Sequence, residues 1–259
     1  GVSYYDYRPM VSFMAVCIME ENGKMENGYA GRSYRKGFEF MTDDVVDVIA
    51  REVVDRTAIL FKAIKPKGGE MPVVMGSGGS GILLHEAIGH AFEADFNRKD
   101  ISIFAGQLNK KVCNEHINVV DDGTIPFNRG SVNFDDEGVE GQKTYIVKEG
   151  VLTSYLHDRI SAKHYGVNPT GNGRRESFRQ MPIPRMRATY MEAGNMKEAD
   201  IISKVKNGIF VDTFTNGQVQ IGAGDFTFFV KSGYLIEDGK LTQPIKDINI
   251  IGNGPKALA

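Results

Sequence analysis

An apolar, β-rich run from Val11 to Ile18 gives way to the polar stretch Glu20 to Lys24 with its Asn22-Gly23 turn, and a second extended stretch runs from about Met25 to Ser33, which predicts two strands joined by a tight hairpin turn. After Thr42 the period changes. Val45, Ile49, Val53 and Leu60 mark a helical stripe with Thr42 as its N-cap, and the helix should end before Pro66. The polar breaker cluster Lys65 to Glu70 predicts a domain boundary, with one unit over 1–66 and another over 67–259. The second unit opens with an apolar run, Met71 to Met75, then a glycine-rich loop, Gly76 to Gly81. An apolar helix from Ile82 to about Phe96 follows. Beyond it, short extended runs are separated by Asp121-Asp122-Gly123, Asp135-Asp136-Glu137-Gly138, Lys148-Glu149-Gly150 and Glu237-Asp238-Gly239. Thr144 to Val147 should pair with Val151 to Leu156, and Tyr234 to Ile236 with Lys240 to Thr242, giving a mostly antiparallel sheet. Two helices are expected within it, near His157 to Tyr165 and near Lys197 to Lys206, closed by Gly166 and Gly208.

Charge narrows the function classes. The 259 residues carry 31 Lys+Arg against 33 Asp+Glu, a formal net charge of −2. Such a balance argues against a nucleic-acid surface, which needs a cationic excess. Cys17 and Cys113 are too few for a disulfide framework, so a reducing, cytoplasmic setting is expected. No apolar run approaches a membrane span, and the start lacks a signal-peptide pattern. Gly1 and the stretch Gly254 to Ala259 look like cut ends, so a fragment truncated at its C-terminus is expected.

Two motifs compete for the chemistry. Gly76, Gly78 and Gly81 satisfy G-x-G-x-x-G before a helix, with Asp100 downstream, as in a nicotinamide-dinucleotide oxidoreductase. The hairpin-rich remainder does not supply the alternating strands and helices which that fold requires. His85-Glu86-Ala87-Ile88-Gly89-His90 is the sharper signal, two imidazoles able to hold Zn²⁺ beside a carboxylate able to act on a bound water. Five-residue spacing separates the histidines by about 140° on a regular helix. One turn of the i→i+5 kind, with about 4.4 residues per turn, would bring them back together. Gly89, without a side chain, suits such a turn. The bland alternative is a pair of hydrogen-bonded core histidines on a greasy helix, but three ionisable groups there call for a compensating cation. Cys113, His116, His157, His164, Glu93 and Asp95 remain as third-ligand candidates, none in a strong motif.

Gly81 to His90, Asp95-Phe96-Asn97-Arg98, Val119 to Thr124, Asp135 to Gly138 and Pro169-Thr170-Gly171-Asn172-Gly173-Arg174-Arg175-Glu176-Ser177 together resemble the TldD/PmbA metallopeptidase family, in its histidine-bearing TldD branch. The similarity runs in order from about Pro72 to Gly254, and the stretch before Lys67 is similar to the end of the family's N-terminal α/β domain. The resemblance implies an α+β fold, a β-rich catalytic domain with a buried metal-binding helix preceded by part of an α/β domain. It implies a zinc-dependent peptidase acting with low sequence selectivity on unfolded or extended peptides. Cleavage would take place inside a dimer chamber, formed with a like subunit or a PmbA-like paralogue. His85 and His90 match the metal ligands and Glu86 the catalytic glutamate. The family's third zinc ligand is a cysteine in a glycine-rich segment nearer the C-terminus, which no residue here matches. A metal-free peptide-binding or structural fragment of the assembly is therefore the alternative. Gly78 and Gly79 are candidates for close backbone approach to substrate, and Arg174 and Arg175 for a substrate carboxylate.

Overall fold

The computed structural model describes residues 2–79 and 81–259, the side chain of Ala87 excepted. β1 (Val11–Glu21) and β2 (Lys24–Tyr34) form an antiparallel hairpin in unbroken register from Val11↔Tyr34 to Glu21↔Lys24. Asn22 and Gly23 both take positive φ, the geometry by which a two-residue turn follows the strand twist. One face of the hairpin, with Phe13, Ala15, Cys17 and Ala30, packs on Val45, Ile49 and Val53 of α1 (Asp43–Ala58). The Thr42 hydroxyl accepts the Val45 N–H, capping α1 ahead of two acidic residues. These three elements thus enclose a small core of their own.

β3 (Val73–Met75) leads through the glycine loop, of which Ser80 lies outside the described residues, to α2 (Gly81–Leu83). The chain then widens into a π turn over Leu84–Gly89 and tightens into a 3₁₀ turn over His90–Phe92. Glu93 leaves the helix at ψ 127°, and α3 (Ala94–Arg98) restarts it. The single helix expected over Ile82 to Phe96 is therefore four short pieces, with a break at Glu93. The interruption has a local cause: Ala94 N–H donates to Leu156 O, and Leu156 N–H donates to Phe92 O. A strand-like pairing with another segment draws Glu93 out of helical geometry.

β4 (Val119–Asp122), β5 (Lys143–Lys148) and β6 (Val151–Leu152) follow, then α4 (Arg159–Tyr165), which is capped by Asp158 and closed by left-handed Gly166. A two-stranded ribbon, β7 (Gly173–Arg174) with β8 (Ile183–Pro184), precedes β9 (Thr189–Met191). Strands β6-β5-β4-β9 make one antiparallel sheet. α5 (Glu198–Ile202) is shorter than the helix expected to Lys206, because Val205 turns with Ile202 into a small core around Phe210 and Ile236. β10 (Asn207–Gln220) and β11 (Asp225–Glu237) are long and antiparallel, with β3 parallel to the start of β10. β12 (Lys240–Ile245) and β13 (Ile248–Asn253) share the far edge of β11, and α6 (Gly254–Leu258) follows. The fold is α+β with mostly antiparallel sheets, and among the described residues no doubly wound parallel sheet stands behind the glycine loop. The main core joins both larger sheets to the interrupted helix through Leu84, Ile88, Phe92, Ile146, Leu156, Val211 and Phe228. No helix among the described residues is long and apolar enough to cross a membrane.

Candidate metal centre

The π turn does what the five-residue spacing requires. The His90 N–H donates to His85 O, one residue wider than in an α-helix, and the two imidazoles meet edge to face with centroids 4.7 Å apart. Donor atoms of His85, Glu86 and His90 all lie within 4.8 Å of one another. Leu84 and Ile88 are buried in the core, whereas the side chains of His85, Glu86 and His90 remain 50%, 33% and 26% exposed. The helix is thus anchored from behind and presents Glu86 and His90 to a cleft of about 910 Å³, walled by Gln218 to Ile221, Phe226 and Asn253.

Gly89 is needed for a reason other than backbone freedom. Its φ of −58° is ordinary for a helix, but a Cβ there would lie 2.9 Å from Leu84 O and within collision distance of Met186 Sδ.

Electrostatics differ between the two rings. Burial lowers the His85 pKa from its ordinary value, and the neighbouring His90 and Arg174 add to the effect. The hydrogen bond to Glu93 raises that of His90. Glu93, fully buried, places Oε2 3.1 Å from His90 Nδ1 and 3.0 Å from Arg185 Nη1. Burial pushes its carboxyl up, against the pull of His90 and Arg185. Glu93 is therefore committed behind the ring, away from the space the three donors share. Its spacing of three from His90 is readable in the sequence; its partner Arg185, 92 positions away, is not.

The other ligand candidates stand elsewhere. Cys113 is buried in the main core with its thiol pushed up to about 11 by burial. His116 and His164 are exposed, and buried His157, pushed down to about 4, lies among Tyr155 and Tyr165. Asp95 lies 3.7 Å from Arg185. Among the described residues, His85, Glu86 and His90 form the cluster able to hold a metal ion.

A Cβ on Gly79 would collide with Asp212 O, so this glycine lets the loop lie against β10. Gly78, at φ +85° and with open space around it, lines a groove of about 440 Å³ with Tyr29 and Phe214. In the β7–β8 ribbon Arg174 sits opposite Ile183, and Arg185 two residues further on shares that face. Arg175 donates to Gln180 O, and its N–H donates to Asp136. Arg187 donates to the carbonyls of Gly171 and Gly173. The acidic turns act as scaffold: Asp135 accepts from Glu137, Val139 and Gly173 N–H, and Asp121 from Arg187 N–H, Thr189 Oγ1 and Asn172 Nδ2. Their turn chemistry was legible, but their reach to the ribbon was not.

Comparisons with known proteins agree with this architecture. A family model described as PmbA/TldA metallopeptidase C-terminal domain matches residues 68–259, and one described as the central domain matches residues 1–61. A metalloprotease TldD homologue of Haemophilus influenzae is 44% identical over 263 residues, spanning 100% of this chain and 55% of the relative. A zinc metalloprotease TldD homologue of Saccharolobus solfataricus is 33% identical over 222 residues, 85% of this chain and 49% of the relative. The crystal structure of TldE from Thermococcus kodakarensis shares the fold with a TM-score of 0.81 at 23% identity, over 96% of this chain and 55% of that one. The chain spans about half the length of the curated relatives it matches. On the family models over both its units and 44% identity along its whole length, the chain belongs to the TldD/PmbA metallopeptidase family.

Proposed function

We propose that this chain carries the catalytic centre of a zinc-dependent peptidase, with His85 and His90 as metal ligands and Glu86 as general base. The observation that carries the reading is the π turn, which gathers three donor groups within 4.8 Å at the mouth of a cleft. The donor set fits the ion, since two imidazoles and a carboxylate are ordinary zinc chemistry. Zinc bound there would supply Lewis-acid polarisation of a peptide carbonyl and a more acidic water. Glu86, adjacent to His85 and open to the cleft, would take up the water's proton and return it to the leaving amine. The third ligand is the cysteine that the family resemblance places in a glycine-rich segment. Cys17, on the hairpin, and Cys113, in the core, stand outside any such segment.

Substrate would lie extended along β10. β3 pairs only with Ile209 to Val211, so among the described residues the stretch from Asn216 to Gln220 has β11 on one side and the cleft by its end. Main-chain pairing of that kind is indifferent to side chains, which accounts for low selectivity toward unfolded peptides. Arg174 would meet a substrate carboxylate, and Gly78 would allow the peptide backbone close to the loop. The units over 1–66 and 67–259, a chamber formed with a second like subunit or a PmbA-like paralogue, and a cytoplasmic setting complete the proposal.

Glu86→Gln decides the role of the base. The variant should retain zinc by metal analysis and lose peptide cleavage by about 10²–10⁴-fold; retained turnover would remove Glu86 from the mechanism.

A further inference from the structure

An imidazole binds a cation only through the ring nitrogen that carries no proton, so a metal histidine needs a partner that fixes the proton on its other nitrogen. We propose that Glu93 is the positioning residue of this centre: it holds the proton of His90 on Nδ1, leaves Nε2 bare for the ion, and is itself fixed by Arg185. The inference rests on the reading of His85, Glu86 and His90 as the metal site and adds what aims one of its ligands.

Three observations carry it. Glu93 Oε2 lies 3.1 Å from His90 Nδ1, within reach of a hydrogen bond from an Nδ1–H. The carboxylate is fully buried and cannot swing out to water, while its main chain is pinned where the strand-like pairing with Leu156 interrupts the helix. Arg185 reaches the same Oε2 at 3.0 Å, and its N–H is tied to Asn172 O in the β7–β8 ribbon. A purely structural role, Glu93 as counter-ion to a half-buried Arg185, explains the second contact and leaves the one to His90 without a purpose. Carboxylate–histidine–metal relays of this form orient the ring and make it a better ligand.

Nitrogen-15 NMR of the metal-free protein, above the pH range where its histidines titrate, tests the aim of the ring directly. His90 should be the Nδ1–H tautomer; an Nε2–H tautomer would overturn the proposal. Zinc affinity, by competition with a chelator, tests whether the aim matters. Glu93→Leu combined with Arg185→Met removes the Glu93–Arg185 pair; it also takes from Asp95 its contact with Arg185, so it should unfold below the wild-type temperature while still folding without metal. Its zinc affinity should fall by about 10–100-fold, and Glu93→Gln, whose amide oxygen still accepts an Nδ1–H, should recover most of the loss. Wild-type affinity in the double variant would sink the positioning role. Should the double variant not fold, the tautomer in the unaltered protein still decides. An unaltered protein that binds no zinc while His90 carries Nδ1–H would count against the metal reading and not against the aiming of the ring.

Discussion

The geometry of the centre turns on one missing methyl group. Gly89 stands where the π turn closes, against Leu84 O and the Met186 thioether, with no room for a Cβ. Gly89→Ala adds the best helix-forming residue, so on propensity alone it should stabilise a helix. Crowding decides otherwise. Met186 can yield, being flexible, but the Leu84 carbonyl belongs to the turn itself. The substitution should cost about 1–3 kcal/mol of stability, read by denaturant unfolding of the metal-free protein. The turn should also relax toward α geometry, which rotates His85 and His90 apart. Zinc affinity should therefore fall by more than the stability change alone would explain, and unchanged affinity would show that the spacing survives without the glycine.

Elements set how the site meets its substrate. The β7–β8 ribbon is only two residues deep on each strand, too short to stand alone. Asp121, at the end of β4, holds it through Asn172 and the Arg187 N–H, and Asp135 holds it through the Gly173 N–H. So supported, the ribbon presents Arg174 on the face it shares with Arg185, close enough for its charge to act on His85. Arg174→Gln should raise KM for peptides bearing a carboxylate near the scissile bond by roughly 3–10-fold, leave kcat unchanged, and leave amidated peptides unaffected. A fall in kcat with constant KM would contradict a binding role. Much of this scale was legible in the sequence: β-rich runs on either side of Asn22-Gly23 marked the β1–β2 hairpin, and the i, i+4 stripe marked α1. The long β10 was not, because irregular register between Val211 and Asn216 breaks the two-residue period and its first half is buried on both faces. The π turn was readable because its signal, two histidines five apart beside a glycine, is local. Arg185 was not, because an ion pair across 92 positions leaves no spacing to find.

At the scale of the whole molecule, one buried histidine away from the centre links folding to pH. His157 is 3% exposed, its Nδ1 has no hydrogen-bond partner, and burial pushes its pKa down to about 4. It sits at a junction: its N–H donates to Thr170 Oγ1, its carbonyl accepts the Thr170 N–H, and Asp158 beside it caps α4. A histidine whose folded pKa lies below its unfolded value binds its proton more readily when unfolded. Its contribution is therefore intact above the unfolded pKa and declines as pH falls from about 6.5 towards 4, a loss on the order of 3 kcal/mol. His90, with its pKa raised, acts in the opposite sense, and the raised carboxyls of Asp121 and Glu137 also favour the acid side. Raw stability against pH mixes these terms, so the informative quantity is a difference. His157→Phe keeps a ring against Tyr155 and Tyr165 and removes the titrating group. Near neutral pH, chemical denaturation should find the two proteins about equally stable, and the variant should gain steadily on the wild type as pH falls through that window. Parallel curves would mean that His157 protonates in the folded protein as readily as in the unfolded one.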